Sequence, residues 1–252
     1  MDKRRRFAQN IRVSAIGTVQ SLWRYPVKSM RGQELESVFV GFGGVAGDRR
    51  FAFTSTAARA DFPYFTARQQ AAMLKFVPRF VPPNEQSITV ETPEGETLAL
   101  DDPRLIELLR CGADQNHRLT LVHADAAMAD CHPISIISLQ TIRQLADETA
   151  TPPNKRRFRA NFFIDLRAAA GFAEDNFVGA SLRIGREVVV SIVKRDGRCV
   201  IINLDPETAA ANPALLKQVA QAHGGTAGIY GRVLVEGTVR RGDEIEVLEH
   251  VG

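Results

Sequence analysis

A single cysteine, Cys199, stands in the run KRDGRCVIINLDPETA (Lys194 to Ala209), where several requirements of thiol chemistry meet. It follows the turn formers Asp196 and Gly197 and precedes the apolar run Val200 to Ile202. Asp205-Pro206 then starts a turn. Lys194, Arg195 and Arg198 surround it in sequence, and a thiol among cations suits reaction as the thiolate. Thiolate binds soft metals and attacks sulfur and carbon centres. A free cysteine also packs well as a small hydrophobe, so the local run leaves both readings open.

Other chemistries lack their signatures. The three cysteines, Cys111, Cys131 and Cys199, form no C-x-x-C pair, which argues against a disulfide framework and a tetrahedral zinc site. The five histidines show no H-x-x-x-H spacing. No G-x-G-x-x-G follows a strand pattern and no P-loop sequence occurs, which speaks against a dinucleotide fold and nucleotide hydrolysis.

The elements that must position Cys199 are mostly short strands. Runs rich in Val, Ile and Phe, bounded by Gly, Pro or Asp, predict strands over 13–22, 35–40, 51–54, 87–91, 119–122 and 161–165. Further strands are predicted over 181–184, 188–193, 200–202, 231–235 and 244–248. Helical spacing appears at 103–110, 138–149 and 213–223, the last opened by Asn212 as N-cap and Pro213 at the first helical position. The fold class expected is mainly β, barrel-like, with a few short α-helices. The small-residue run ADAAMAD (Ala124 to Asp130) marks a seam between residues 11–125 and 126–252, and Thr149 to Arg157 reads as a surface loop near the site.

Composition is ordinary for a globular chain of 252 residues, with 44% hydrophobic and 24% charged residues. The net charge of +3 matches that of the first six residues alone, so residues 1–10 read as a mobile basic tail and nucleic acid is not an expected partner. No apolar run approaches the ~18 residues of a membrane helix, and no signal peptide is visible. A reducing cytoplasm fits the cysteine pattern, with no membrane partner.

Six motifs in order resemble one family. R-C, an apolar stretch and D-P-E-T are similar to the cysteine motif of MOSC domains, named after the C-terminal domain of molybdenum cofactor sulfurase. RYPVKSMRG (24–32), GDRRFAF (47–53) and TARQ (66–69) resemble its N-terminal β-barrel domain. RFRANFFID (157–165), DNFVGASLRIG (175–185) and GIYGRVLVEGTVRRGDEIEVL (228–248) resemble the MOSC core, so the likeness spans about 11–248. It implies an N-terminal β-barrel domain packed on a core β-barrel. It further implies a molybdenum cofactor, Mo-molybdopterin, with Cys199 as catalytic residue and metal ligand. Lys28 and Ser29, held after rigid Pro26, resemble the phosphate anchor. Arg49, with Arg50 as its rival, and Arg68 in TARQ supply guanidinium forks that suit phosphate. Arg159 and Asn161 alternate with Phe158 and Phe162, which predicts one strand face offering phosphate and pterin contacts. Ser138 and Tyr230 are further candidates for hydrogen bonds to the cofactor. Asp205 reads as a turn starter, an orienter of the cysteine loop or a group for proton delivery; His132 at the seam reads as a structural histidine over a pocket-facing one, and Trp23 is expected to pack on the first barrel. Ala160 and Ala209 depart from the family, which usually has Pro and Gly there.

By resemblance to the amidoxime-reducing enzymes of this family, the implied activity is reduction of N-hydroxylated small molecules. No cysteine cluster of a ferredoxin domain is present, so electrons come from a separate protein of ferredoxin, flavoprotein or cytochrome b5 type. The second reading is a sulfur carrier holding a persulfide on Cys199; the third is a non-catalytic β-barrel binding module. The cofactor reading predicts that Lys28, Ser29, Arg49, Arg68 and Arg159 converge on one cleft with Cys199 at its far end, within roughly 15 Å.

Overall fold

The computed structural model describes residues 15–82, 87–114 and 116–248, so the proposed basic tail lies outside the described residues. The N-terminal half carries strands β1 (Ala15–Arg24), β2 (Gln33–Leu35), β3 (Ser37–Gly41), β4 (Gly44–Val45) and β5 (Phe51–Arg59). It continues with β6 (Phe62–Phe65), β7 (Val77–Phe80), β8 (Ile88–Glu91), β9 (Thr97–Ala99), helix α1 (Pro103–Arg110) and β10 (Leu119–His123). Then come β11 (Ile134–Ser138), α2 (Leu139–Thr149), β12 (Phe162–Leu166), β13 (Ser181–Ile184) and β14 (Val188–Gly197). α3 (Ala214–Ala222), β15 (Thr226–Val235), β16 (Gly237–Arg240) and β17 (Glu244–Leu248) complete the chain.

The largest sheet has eight strands in the order β12-β11-β15-β14-β13-β17-β1-β2, and a β12–β1 pairing closes all but β2 into a barrel. The seam in the sequence is therefore not a seam in the sheet, because β1 is the stave that shuts the C-terminal barrel. Gly17 allows this. A Cβ there would stand 2.3 Å from the Asp165 carbonyl oxygen of β12. The barrel is filled by alternate inward residues, among them Val19, Ile136, Phe162, Leu182, Val190 and Ile245. β16 pairs back onto β3, a second tie between the halves. The sheets β10-β5-β6 and β7-β8-β9, with α1, enclose a separate core around Phe53, Phe65, Met73 and Leu105. Among the described residues no helix is long and apolar enough to cross a membrane.

Several elements differ from their sequence patterns. The expected strand 35–40 is two strands, because the chain bends at Glu36, whose carbonyl accepts from Arg241 N at 2.9 Å. Val200 to Ile202 is not a strand but part of a 3-10 turn over Val200–Asn203. Pairing of β14 with β15 ends at Gly197, so the run beyond has no sheet edge to join; it buries Ile202 among Leu215 and Val219 of α3. Arg159 and Asn161 do not share a strand face. Asn154 accepts from Arg156 N and caps a 3-10 turn over Lys155–Phe158, left-handed Arg159 ends it, and β12 begins only at Phe162. Trp23 packs outside the barrel with Phe158, Phe163 and Leu215 under α2 and α3, not on the N-terminal core. α3 begins at Ala214 with Pro213 in the cap position, one residue later than expected, and Asn212 still accepts from Ala214 N at 3.1 Å.

Ser138 has a structural post. It is the N-cap of α2, accepting from Thr141 N at 3.0 Å and donating to Glu174 Oε2 at 2.8 Å, all fully buried. An N-cap hydroxyl satisfies an otherwise orphaned helical N–H. Ser138→Ala is expected to lower the unfolding free energy by about 1–2 kcal/mol, read as a lower urea midpoint. Ser138→Thr, which keeps the hydroxyl, should cost less.

Candidate functional site

A cavity of about 280 Å³ opens where the barrel rim meets the N-terminal sheets. Its N-terminal wall begins just after β1. A parallel bridge pairs Val27 with Phe51, and Phe51 N donates to Pro26 O at 3.2 Å, so this pairing presents Lys28 and Ser29. Lys28 is buried, ion-paired with Asp130, and donates to Met128 O at 2.9 Å beneath the Tyr64 ring. Burial pulls the Lys28 ammonium below its ordinary pKa even though Asp130 opposes the shift. Burial works against ionisation of Asp130 too, but Lys28, with Arg49 and Arg68, outweighs it and holds the carboxyl below its ordinary value.

The Tyr25 ring meets two guanidinium groups. Arg49 lies 4.9 Å from its ring centroid and Arg159 4.3 Å, within the range of cation–π attraction. Fully buried Asp48 accepts from Tyr25 N at 2.7 Å and pairs with Arg49. Arg49 Nη2 donates to Arg159 O at 3.0 Å, and Tyr25 Oη donates to Ala160 O at 3.2 Å. Arg159 forms no ion pair among the described residues, and its buried Nη2 has no hydrogen-bond partner. Burial is the main force pulling Arg159 down to about 10; Arg49 adds to it while Tyr25 opposes. Arg50, the rival of Arg49, points elsewhere, bonding Asp125 at 3.0 Å and His123 at 3.2 Å.

Ser29, Arg49 and Arg159 share a backbone feature. They are non-glycine residues with positive φ, at 68°, 47° and 52°. Such conformations cost on the order of 1–3 kcal/mol each and cluster at functional sites, where surrounding structure enforces them. All three line the cavity.

At the other end stands Cys199, partly exposed, on the turn after β14. The cation that touches its sulfur is Arg68, which hydrogen-bonds it and reaches Asp130 at 3.8 Å. Thr66 shapes the turn carrying this arginine, its hydroxyl accepting from Arg68 N at 3.3 Å. Two cations adjacent in sequence are engaged elsewhere. Arg195 pairs with Asp175 at 3.1 Å, and Arg198 binds Ala227 O, Phe158 O and buried Asp196. Asp205 orients the cysteine loop, accepting from Glu207 N and Thr208 N and pairing with Arg157 at 2.9 Å.

The cleft thus brings together Lys28, Ser29, Arg49, Arg68, Arg159, Asn161, Cys199 and Tyr230, and leaves out Ser138, which is locked into the α2 cap. Asn161 has its amide engaged, accepting from Ser135 N at 3.1 Å and donating to Trp23 O at 3.3 Å. Sequence reasoning missed Asp196 and Ser135. Both line the cavity, with Ser135 Oγ donating to Asp196 Oδ2 at 2.8 Å and the Tyr230 hydroxyl bonding the same carboxylate. Burial raises the Asp196 carboxyl, and burial followed by Asp196 raises the Tyr230 phenol. An Asp before Gly reads as a turn, so only its 2% exposure reveals the role. Among the described residues no three His, Cys, Asp or Glu side chains gather as a metal site.

The MOSC N-terminal beta barrel domain matches residues 16–131, and the MOSC domain matches residues 123–246. This chain belongs to the MOSC family. No curated protein matches it. Among solved structures, the YuaD protein of Bacillus subtilis is 14% identical, with a TM-score of 0.51 over 93% of this chain and 97% of YuaD. That likeness concerns the fold. YiiM of Geobacillus stearothermophilus is 19% identical, covering 53% of this chain and 69% of its own, with a TM-score of 0.39.

The Lys28–Asp130 pair gives this MOSC cleft an acid limit. Because the folded carboxyl lies below its ordinary value of 3.8, its stabilising contribution is complete above that pH and is lost as pH falls through the lower folded value. Asp130→Asn should flatten the acid limb of a stability–pH curve below pH ~4, measured by urea titration at a series of pH values.

Proposed function

We propose that this MOSC protein is a molybdenum-cofactor-dependent oxidoreductase that reduces N-hydroxylated compounds with electrons from a separate ferredoxin, flavoprotein or cytochrome b5-type donor. One observation carries the reading: a soft thiol shares a cleft with a buried guanidinium whose Nη2 has no protein partner. A buried donor without a partner is costly, so a polar ligand is the natural explanation for it.

The residues present fit a molybdenum pterin. Cys199 offers the sulfur ligand that a soft, redox-active centre prefers. Arg159, Arg49, Lys28 and Ser29 would hold the anionic tail, and the planar guanidinium forks suit a phosphate. When bound, the cofactor supplies two-electron oxygen-atom chemistry. In the overall reaction one N–O bond breaks, two electrons arrive from the donor, two protons are taken up and water leaves. The chain's own part is to orient and to handle protons. Asp196, three residues before Cys199 in the chain, forms a hydrogen-bonded set with Ser135 and Tyr230 that lines the same cleft. Arg68, bonded to the sulfur, keeps Cys199 directed into the cleft. A persulfide carrier would need the thiol and Arg68, but it has no use for a buried, unpaired Arg159 beside Arg49.

Cys199→Ser is expected to abolish reduction of hydroxylamine-type substrates while leaving the fold intact, because a hydroxyl is a much poorer soft-metal ligand than a thiolate. Retained turnover with a competent donor would remove Cys199 from the mechanism. Arg159→Ala should lower the molybdenum content of purified protein by roughly tenfold to a hundredfold in affinity, the scale of a charge-assisted contact. Elemental analysis reads this, and the filled fraction should keep its turnover. Full occupancy with lost activity would make Arg159 a substrate residue instead.

A further inference from the structure

The cavity holds two electrostatic neighbourhoods, and the phosphate reading uses only one. The groups acting most on Arg159 are Tyr25, Arg49, Asp48 and Asp130. Those acting on His132 are Arg232 and Lys194, both cationic, and no carboxylate is among them. His132 and Lys194 line the cavity, and Arg232 stands exposed beside them with Nε 3.5 Å from His132 Nδ1. The His132 ring meets the edge of Tyr230 at 5.8 Å, which places the group on the wall that carries Asp196 and Cys199.

The backbone presents these cations on purpose-built geometry. β14 pairs Ser191 with Arg232 and Lys194 with Tyr230, and the register shifts between Ile192 and Lys194. That irregularity exposes three consecutive residues, Val193, Lys194 and Arg195, where strand alternation would bury the middle one. Bulges beside sites commonly re-aim a side chain in this way. Arg195 is then neutralised by Asp175 at 3.1 Å, whereas Lys194, Arg232 and His132 form no ion pair among the described residues. Burial, then Arg232, then Lys194 hold the His132 imidazole below its ordinary value, so it stands beside the two cations as a neutral hydrogen-bonding ring.

We infer that Lys194, Arg232 and His132 form an anion subsite at the cleft mouth, selecting N-hydroxylated substrates that also carry a carboxylate or phosphate. The inference rests on the oxidoreductase reading for the identity of the reacting group and on this cation cluster for the anion. The subsite lies on the wall of Cys199 and Asp196, so a substrate anchored there presents its N–O group toward both.

The test compares an aryl hydroxylamine bearing a ring carboxylate with one bearing a carboxamide, and with a phosphonate analogue that distinguishes the two anion sources. Molybdenum-loaded protein is assayed with reduced methyl viologen, so that no donor protein takes part. Wild-type protein should favour the anionic substrates in kcat/KM. In Lys194→Ala/Arg232→Ala that preference should fall about tenfold, carried by KM, and salt should erode it in wild type, as for partly exposed charges. An unchanged preference overturns the subsite. So does a double variant that alters only the rate with an acidic donor protein, which would make the cluster a docking surface. If wild-type protein turns over neither substrate, calorimetry with the carboxylate-bearing amine product separates the two ideas. Weaker binding in the double variant keeps the subsite and sinks the reductase reading, whereas equal binding sinks both.

Discussion

Tyr25, its ring in contact with both Arg49 and Arg159 and its backbone N–H bonded to Asp48, is the contact on which the cleft depends. Two buried guanidinium groups stand near one buried carboxylate, and Arg49 takes it as its ion-pair partner. Removing charges from water costs several kcal/mol per ion unless partners replace the lost hydration. Arg49 is repaid by Asp48 and by the Arg159 carbonyl, while Arg159 keeps a ring face and an unpartnered Nη2. The imbalance leaves a buried donor unsatisfied in the cleft, and it exists only because three distant segments, around 25, 48 and 159, meet.

The meeting is enforced by topology. β1 closes the barrel by pairing with β12 and β17, and its last residues deliver Tyr25 and the Pro26–Ser29 turn directly to the start of β12. Trp23 N donates to Asn161 O at 2.8 Å, so the backbone on both sides of the Arg159 turn is held. Hydrogen bonding along a closed sheet leaves little freedom at its rim. That rigidity can sustain left-handed conformations at Ser29, Arg49 and Arg159 that isolated turns would relax.

The opposite wall works by a different principle. There the sheet register slips near Lys194, and Gly197, the last residue of β14, releases the chain into the Cys199 turn. The thiol is thus carried by a segment anchored through Arg198 on two carbonyls and through Asp205 on its own turn. Asp196, buried between Ser135, Arg198 and Tyr230, ties that wall to β11 and β15.

Much of the fold was legible locally. β13, β17 and α1 occupy the spans their residue patterns indicate, because alternation over 181–184 and 244–248 and an Asp102-Pro103 cap are decided by near neighbours. Short strands such as β6 and β7 escaped notice since Pro63 and Pro78 interrupt their patterns, and Val200 to Ile202 lacked only a sheet edge to be the strand it resembled. The residue types of the site, a lone thiol and recurring arginines, were likewise plain in the chain. Their assignments were not, because charge pairing is a tertiary property: Arg198 beside the cysteine turned inward to carbonyls, while Arg68 arrived from the turn after β6 to touch the sulfur. Ser138 shows the same division, its hydroxyl type permitting a ligand or a cap and the position of Glu174 deciding for the cap. Composition and periodicity determined that this is a strand-rich protein with a cysteine in a turn. Barrel closure by β1 and the burial it imposes decided which cations stay unpaired, since desolvation and partner choice depend on the segments folded around each charge.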